Sequence, residues 1–419
     1  MARRRRLLGA ALGAALGAGM LAGCGGSSAR PASACGASRW VGAWSADPSD
    51  ALNHGLVDQT VRTILTPDLA GDTLRVRLSN RLGAAPVTFQ AASVGLRRGS
   101  AAALEPGSRR PLTFAGTAAV TVAAGADATS DPVGLAIKPS TDVAVSLFVS
   151  GASGPATEHT IGQQTSYFSA PGSGDHTGED AGAAFTLPTT ARYFVSGVDV
   201  RKSAAVGDVV ALGDSITDGY GGPADGNDRY PDFLARRLAA EAPDRRLSVV
   251  NAGIGGNKVL TDGRLELAGP AALDRLDADV IAAPGASDVI VLEGINDIAA
   301  QATPQQIIAG LGRIVGRLHG AGLAVQLGTL TPFGATPAAG ARASAAEAAR
   351  LEVNRWIRAG GGADATIDFD AAVRDPGVPS HLDPRYDSGD HLHPNAAGRR
   401  AMAGAVSLAG LRSAACAGG

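Results

Sequence analysis

Val209-Val210-Ala211-Leu212-Gly213-Asp214-Ser215-Ile216-Thr217-Asp218-Gly219 reads as a short apolar strand, a tight turn and the start of a helix. A serine on such a turn holds its hydroxyl outward, beside backbone N–H groups that can stabilise an anion. A nucleophile that attacks an acyl carbon needs that setting. Gly-Asp-Ser also makes ordinary turns, so the meaning of Ser215 depends on what stands at the ends of the neighbouring strands.

Outward from this stretch, strand-like runs at 209–212, 247–252, 288–293, 323–330 and 365–369 alternate with helical runs at 230–242, 270–283, 304–319, 344–358 and 395–408. Strand and helix alternating over this length predict a parallel sheet covered on both faces. In such sheets the site lies beyond the carboxyl ends of the strands. Chemistry-bearing residues fall there. Ser215 follows the first strand, and the glycine-rich turn Asn251-Ala252-Gly253-Ile254-Gly255-Gly256-Asn257 follows the second. Glu293-Gly294-Ile295-Asn296-Asp297 follows the third, and Gly389-Asp390-His391-Leu392-His393-Pro394-Asn395 precedes the last helix. Together the four loops supply a hydroxyl, N–H donors, an amide, a carboxylate and an imidazole.

These four blocks, in this order, resemble the SGNH (GDSL-type) hydrolases, a family of esterases and lipases, over roughly residues 205–410. The resemblance implies a flavodoxin-like three-layer α/β/α fold. It also implies Ser215 as nucleophile, Asp390 and His393 as the Asp-x-x-His pair, and an oxyanion hole made by Ser215, Gly256 and Asn296. The physical roles agree. A serine needs a base to take its proton during attack, histidine suits that task, and Asp390 can fold back to orient it. Fixed donors must meet the charge developing on the carbonyl oxygen. The scheme requires no metal and no cofactor. Adjacency to Asp390 is poor geometry for His391, which is not expected to be the base, and Asp214 and Asp218 are expected to shape the turn.

From about Arg39 to Arg201 the pattern is different. Thr73-Leu74-Arg75-Val76-Arg77-Leu78-Ser79 alternates apolar and polar residues, as a strand with one wet face does. Runs at 120–122, 133–137, 143–149 and 193–200 continue the theme and predict a β-sandwich of jelly-roll type. Residues 169–190, rich in Gly, Asp, Ser and Thr, are expected to form an exposed excursion, and His159 a surface-loop residue. Trp40, Trp44 and Trp356 are expected in core packing. The region around Trp40-Val41-Gly42-Ala43-Trp44 and Val76–Asn80 also resembles secreted family members with a leading β-domain, some of them carbohydrate esterases.

The 37 basic and 39 acidic residues give a net charge of −2 without a basic block beyond the N-terminal tip, which argues against a nucleic-acid partner. That tip, Arg3 to Arg6, precedes the apolar, uncharged Leu7–Gly23 and has the layout of a signal peptide. Leu21-Ala22-Gly23-Cys24 resembles a lipoprotein lipobox, which implies cleavage before Cys24 and lipid on its thiol; ordinary secretion is the alternative. Cys35 and Cys416 then remain as an even pair in an oxidising compartment, which suggests a disulfide between them, with two free thiols as the alternative. The expected organisation is a signal peptide at 1–23, a tether at 24–38, a β-sandwich at 39–201 and a hydrolase domain at 205–412. The expected protein is an exported, membrane-tethered serine esterase acting on short acyl esters of carbohydrates or other small molecules. A lipase or lysophospholipase, and a non-catalytic carbohydrate-binding lipoprotein, are the alternatives. Oligomeric state is not legible.

Overall fold

The computed structural model describes residues 37–412 except 54, 243–246, 335 and 337–342. The expected signal peptide, Cys24, Cys35 and Cys416 lie outside the described residues.

The N-terminal region is a sandwich of two antiparallel sheets. In one sheet the strands run in the order Ser38–Ser45, Val195–Ser203, Gly71–Ser79 and Asp127–Thr129, with Val133–Ile137 also on Gly71–Ser79. The other runs Phe185–Thr189, Ser166–Ser169, Val57–Leu65, Val143–Ala152, Ala91–Leu96, Arg110–Pro111. The alternation read in the sequence separates the faces. Leu74, Val76 and Leu78 join Val198 and Val200, and meet Val61, Leu65, Val94, Val145 and Leu147 in one core. Arg75 and Arg77, on the other face, bind the buried Asp199 at 2.8 and 3.1 Å.

Residues 169–190 are more than an exposed excursion. Phe185–Thr189 pairs with Ser166–Ser169, and the buried Arg62 donates from Nη2 to the Glu179 carbonyl at 2.6 Å. A buried guanidinium needs several acceptors, and this loop's carbonyl meets part of that need. Trp44 is half-buried against the sandwich core, as expected, with the Arg192 guanidinium over its ring, whereas Trp40 is half-buried under the Arg75 guanidinium. Trp356 is half-buried against the second core.

The C-terminal region is a parallel sheet in the order Leu247–Gly253, Gly207–Gly213, Ala286–Leu292, Ala324–Gly328, Ala365–Ile367. Helices α1 (Ser215–Asp218), α2 (Tyr230–Glu241), α3 (Ala272–Leu276), α4 (Ile295–Ala299), α5 (Pro304–Gly320), α6 (Ala343–Arg358), α7 (Phe369–Val373) and α8 (Ala396–Ala405) connect and cover it. The expected helix at 270–283 is divided, since α3 passes into a π turn at Asp277–Ile281. Val209 to Leu212 are all buried in the core of this sheet, as their unbroken apolar run requires. The strand order is that of a flavodoxin-like fold, whose switch point lies beside the first strand. Ser215 stands there.

The two regions meet along the Ser38–Ser45 strand. Gly42 N–H donates to the Pro284 carbonyl at 2.8 Å, and Ser45 Oγ to the Asn251 carbonyl at 2.9 Å. A Cβ at Gly42 would stand 2.6 Å from Asp208 Oδ2 and 2.9 Å from Val250 Cγ1, so the approach is open only to glycine.

Candidate active site

Strand register brings the predicted residues to one rim. Gly213 pairs with Gly253 on one side and Leu292 on the other, so three strands end level. Ser215, Gly256 and Asn296 follow those ends within a few residues. Ser215 begins α1, a single turn capped by the Asp214 side chain, which accepts the Ile216 N–H at 2.9 Å. Gly219, in the left-handed region, ends that turn. Burial pushes the Asp214 carboxyl up to about 7, against the opposing effect of the Ile216 N–H. Asp214 therefore shapes the turn.

Ser215 Oγ and His393 Nε2 are 2.8 Å apart, and His393 Nδ1 lies 2.6 Å from Asp390 Oδ2. The carboxylate fixes the hydrogen on Nδ1 and leaves Nε2 to accept from the serine. Burial opposes the charge on Asp390. The His393 N–H, the imidazole and the Leu392 N–H outweigh burial and hold the carboxyl well below the usual carboxylate range. The loop carrying the pair is anchored at its end: Asn395 caps α8 by accepting from Ala397 and Gly398, and the buried Arg399 donates Nε–H to the Pro394 carbonyl at 2.9 Å. His391 takes a left-handed backbone and turns to Asp387, 2.6 Å from its Nδ1.

The oxyanion candidates Gly256 and Asn296 follow the ends of the two strands that flank Gly207–Gly213. The backbone N–H of Gly256 has no acceptor among the described residues. Asn296 donates one amide hydrogen to the Asn257 carbonyl at 2.9 Å, which orients its Nδ2 and leaves the second hydrogen for a ligand. Asp297 accepts from Val259 and Leu260 at 2.8 and 3.1 Å, so α4 and the glycine loop are tied together. Among the described residues no cluster of three or more His, Cys, Asp or Glu side chains is placed to hold a metal.

Three residues here were not found by sequence reasoning. Tyr220 packs its ring 4.6 Å from that of His393 and donates its N–H to the Ser215 carbonyl at 2.9 Å. Arg275, buried, donates to the Gly213 carbonyl at 3.1 Å, the Ala252 carbonyl at 2.8 Å and Asn257 Oδ1 at 3.0 Å. It thereby ties together the ends of two strands. Its i,i+4 spacing to Asp279 was visible; its reach to the strand ends was not.

His159 is the third, and it is not a surface-loop residue. It is 6% exposed, with Nδ1 2.7 Å from the Asp47 carbonyl and Nε2 3.0 Å from Asp218 Oδ1 in α1. The carbonyl and the carboxylate both accept, so both ring nitrogens carry hydrogen. Burial works against the resulting charge, but the Asp218 carboxylate and the two hydrogen bonds raise the pKa. No local signal in the sequence announces a contact made between two domains.

Residues 211–401 match the model of the GDSL-like lipase/acylhydrolase family. No protein of curated function matches the chain. Similar solved structures include LAE5, an alpha/beta hydrolase enzyme from the metagenome of Lake Arreo (25% identity, 51% of this chain and 97% of that one, TM-score 0.37). The acetylxylan esterase Axe2 of Geobacillus stearothermophilus is 22% identical, over 48% of this chain and 94% of that one, with a TM-score of 0.36. A GDSL-like lipase of Bacteroides thetaiotaomicron is 18% identical, over 48% and 87%, with a TM-score of 0.36.

Proposed function

We propose, from the match of residues 211–401 to the GDSL-like lipase/acylhydrolase family, that this carboxylic ester hydrolase is a serine esterase for short acyl groups on polar alcohols such as carbohydrates. The observation that carries the catalytic reading is the unbroken row Ser215 Oγ, His393 Nε2, His393 Nδ1, Asp390 Oδ2. As Ser215 attacks the acyl carbon, its proton passes to His393 Nε2 and Asp390 stabilises the imidazolium. The Ser215 and Gly256 N–H groups and the free amide hydrogen of Asn296 receive the charge on the carbonyl oxygen. Collapse of the tetrahedral intermediate returns the proton to the leaving alcohol. Water, activated by the same imidazole, then frees the acid.

The short-acyl reading is supported by the openness of the row, since the Asp390 side chain is 42% exposed and the neighbouring Tyr220 47%. A longer-chain reading has its own support: a cleft of about 580 Å³ between the domains, bordered by the exposed Leu52 and Leu265. An acyl-length series of p-nitrophenyl esters beside acetylated xylan separates them. Peak kcat/KM at acetate or propionate supports the first, and a peak at octanoate or beyond overturns it.

Asn296→Ala is expected to lower kcat by roughly 10²–10³-fold with little change in KM, because the donor acts mainly in the transition state. Steady-state kinetics on p-nitrophenyl acetate check it, and an effect confined to KM makes Asn296 a substrate-binding residue instead.

The N-terminal sequence supports an exported protein held to the membrane through lipid on Cys24. A diacylated residue buries many CH₂ groups at about 0.8 kcal/mol each. The wild-type protein should therefore fractionate with membranes, and Cys24→Ser should stall unprocessed or appear in the soluble fraction outside the cytoplasm. A mature N-terminus well downstream of Cys24, without lipid mass in intact-protein spectrometry, overturns the anchor.

A further inference from the structure

The oxyanion loop Gly255–Gly256–Asn257 holds two residues without side chains, and Gly256 sits at a φ of +75°. What fixes it comes from outside. Gly255 donates its N–H to Asp218 Oδ2 at 3.0 Å, while Oδ1 of the same carboxylate faces His159 Nε2 at 3.0 Å. A Cβ on Gly255 would stand 2.1 Å from Ile161 Cδ1, so this neighbour of His159 lies directly on the loop. Arg229 fastens the same joint, donating Nε–H to the Asp218 carbonyl at 2.8 Å and Nη2–H to the Gly162 carbonyl at 2.6 Å. On the other flank Asn257 Oδ1 accepts from Arg275, Arg275 pairs with Asp279 at 3.2 Å, and Asp279 holds Arg81. Arg81, His159 and Ile161 all belong to the N-terminal sandwich. The loop is gripped from both sides by the other domain.

We propose that His159 is a positioning residue of the esterase: through the Asp218 carboxylate it fixes Gly255, and so places the Gly256 N–H that meets the oxyanion. The inference rests on the esterase reading above. A carboxylate buried without its cation takes a proton or turns toward water, and either change releases the Gly255 N–H. Oxyanion donors act only when held in place, and a misplacement of about 1 Å costs up to 10²-fold in rate. On this reading the sandwich is a working part of the catalytic site.

The test compares the full chain with His159→Ala and His159→Gln, the second keeping an amide N–H that can reach Asp218. His159→Ala is expected to lower kcat for p-nitrophenyl acetate by about 10-fold with KM within about twofold, and to speed amide hydrogen exchange over 253–257 while leaving 209–212 protected. His159→Gln is expected to recover most of both. A folded His159→Ala protein with wild-type kcat and wild-type exchange over 253–257 overturns the proposal. If His159→Ala does not fold, His159→Leu decides, because it fills the space while removing both ring nitrogens: faster exchange over 253–257 supports the proposal and unchanged exchange overturns it. If the wild-type chain turns over no ester, the esterase reading falls, and exchange over 253–257 alone decides the role of His159.

Discussion

Ser215→Ala is expected to lower ester turnover by at least about 10³-fold, because the members of such a row act as a unit. The fold should survive. Ser215 Oγ makes one side-chain bond, to His393, and the turn that carries it is held by Asp214 and Gly219. Loss of one hydrogen bond costs about 1 kcal/mol, which a thermal melt resolves. The variant should also resist a serine-directed phosphonate that inactivates the wild type. Substantial turnover by a clean Ser215→Ala preparation removes Ser215 as the nucleophile.

His393→Ala should be nearly as damaging, with a loss of about 10³-fold, whereas His391→Ala should stay within about threefold of the wild type. The two imidazoles are separated by one residue but answer to different carboxylates, His393 to Asp390 and His391 to Asp387. The pH profile adds a second check. The Asp390 carboxyl, held well below the usual range, stays charged throughout the span in which activity is measured. Loss of kcat/KM on the acid side therefore does not report protonation of Asp390. If the two histidine variants are reversed in effect, the base is His391.

The sequence made the parallel sheet legible because buried strands and amphipathic helices leave opposite periodicities. The predicted runs at 209–212 and 247–252 fall inside Gly207–Gly213 and Leu247–Gly253. Helix α5 falls on the expected run 304–319, and in the structure Thr303 opens it with Gln306 completing a capping box. The four loop blocks were legible because glycine, amide, carboxylate and imidazole are rare in that order. His159 was missed for the opposite reason. A histidine beside Thr160 and Ile161 has the composition of a surface loop, and its carboxylate partner Asp218 comes from a domain that follows it in the chain. Arg275 and Arg81 share this invisibility: charged residues read as solvated until a distant carbonyl or carboxylate is brought to them. Phe185–Thr189 was hidden by its setting, since its partner strand alone makes it a strand.

The strand Ser38–Ser45 closes the sandwich by pairing with Val195–Ser203, and it lies against Leu247–Gly253, an edge of the parallel sheet. Bare sheet edges invite pairing between molecules, and proteins commonly shield them. A hydrolase half cut free at residue 205 would therefore carry an unguarded flank of Leu247, Val249 and Val250, with Asn251 stripped of its Ser45 donor. Such a fragment should associate through that flank at concentrations where the whole chain stays dispersed, so self-association, and not weak chemistry alone, would set what can be done with it.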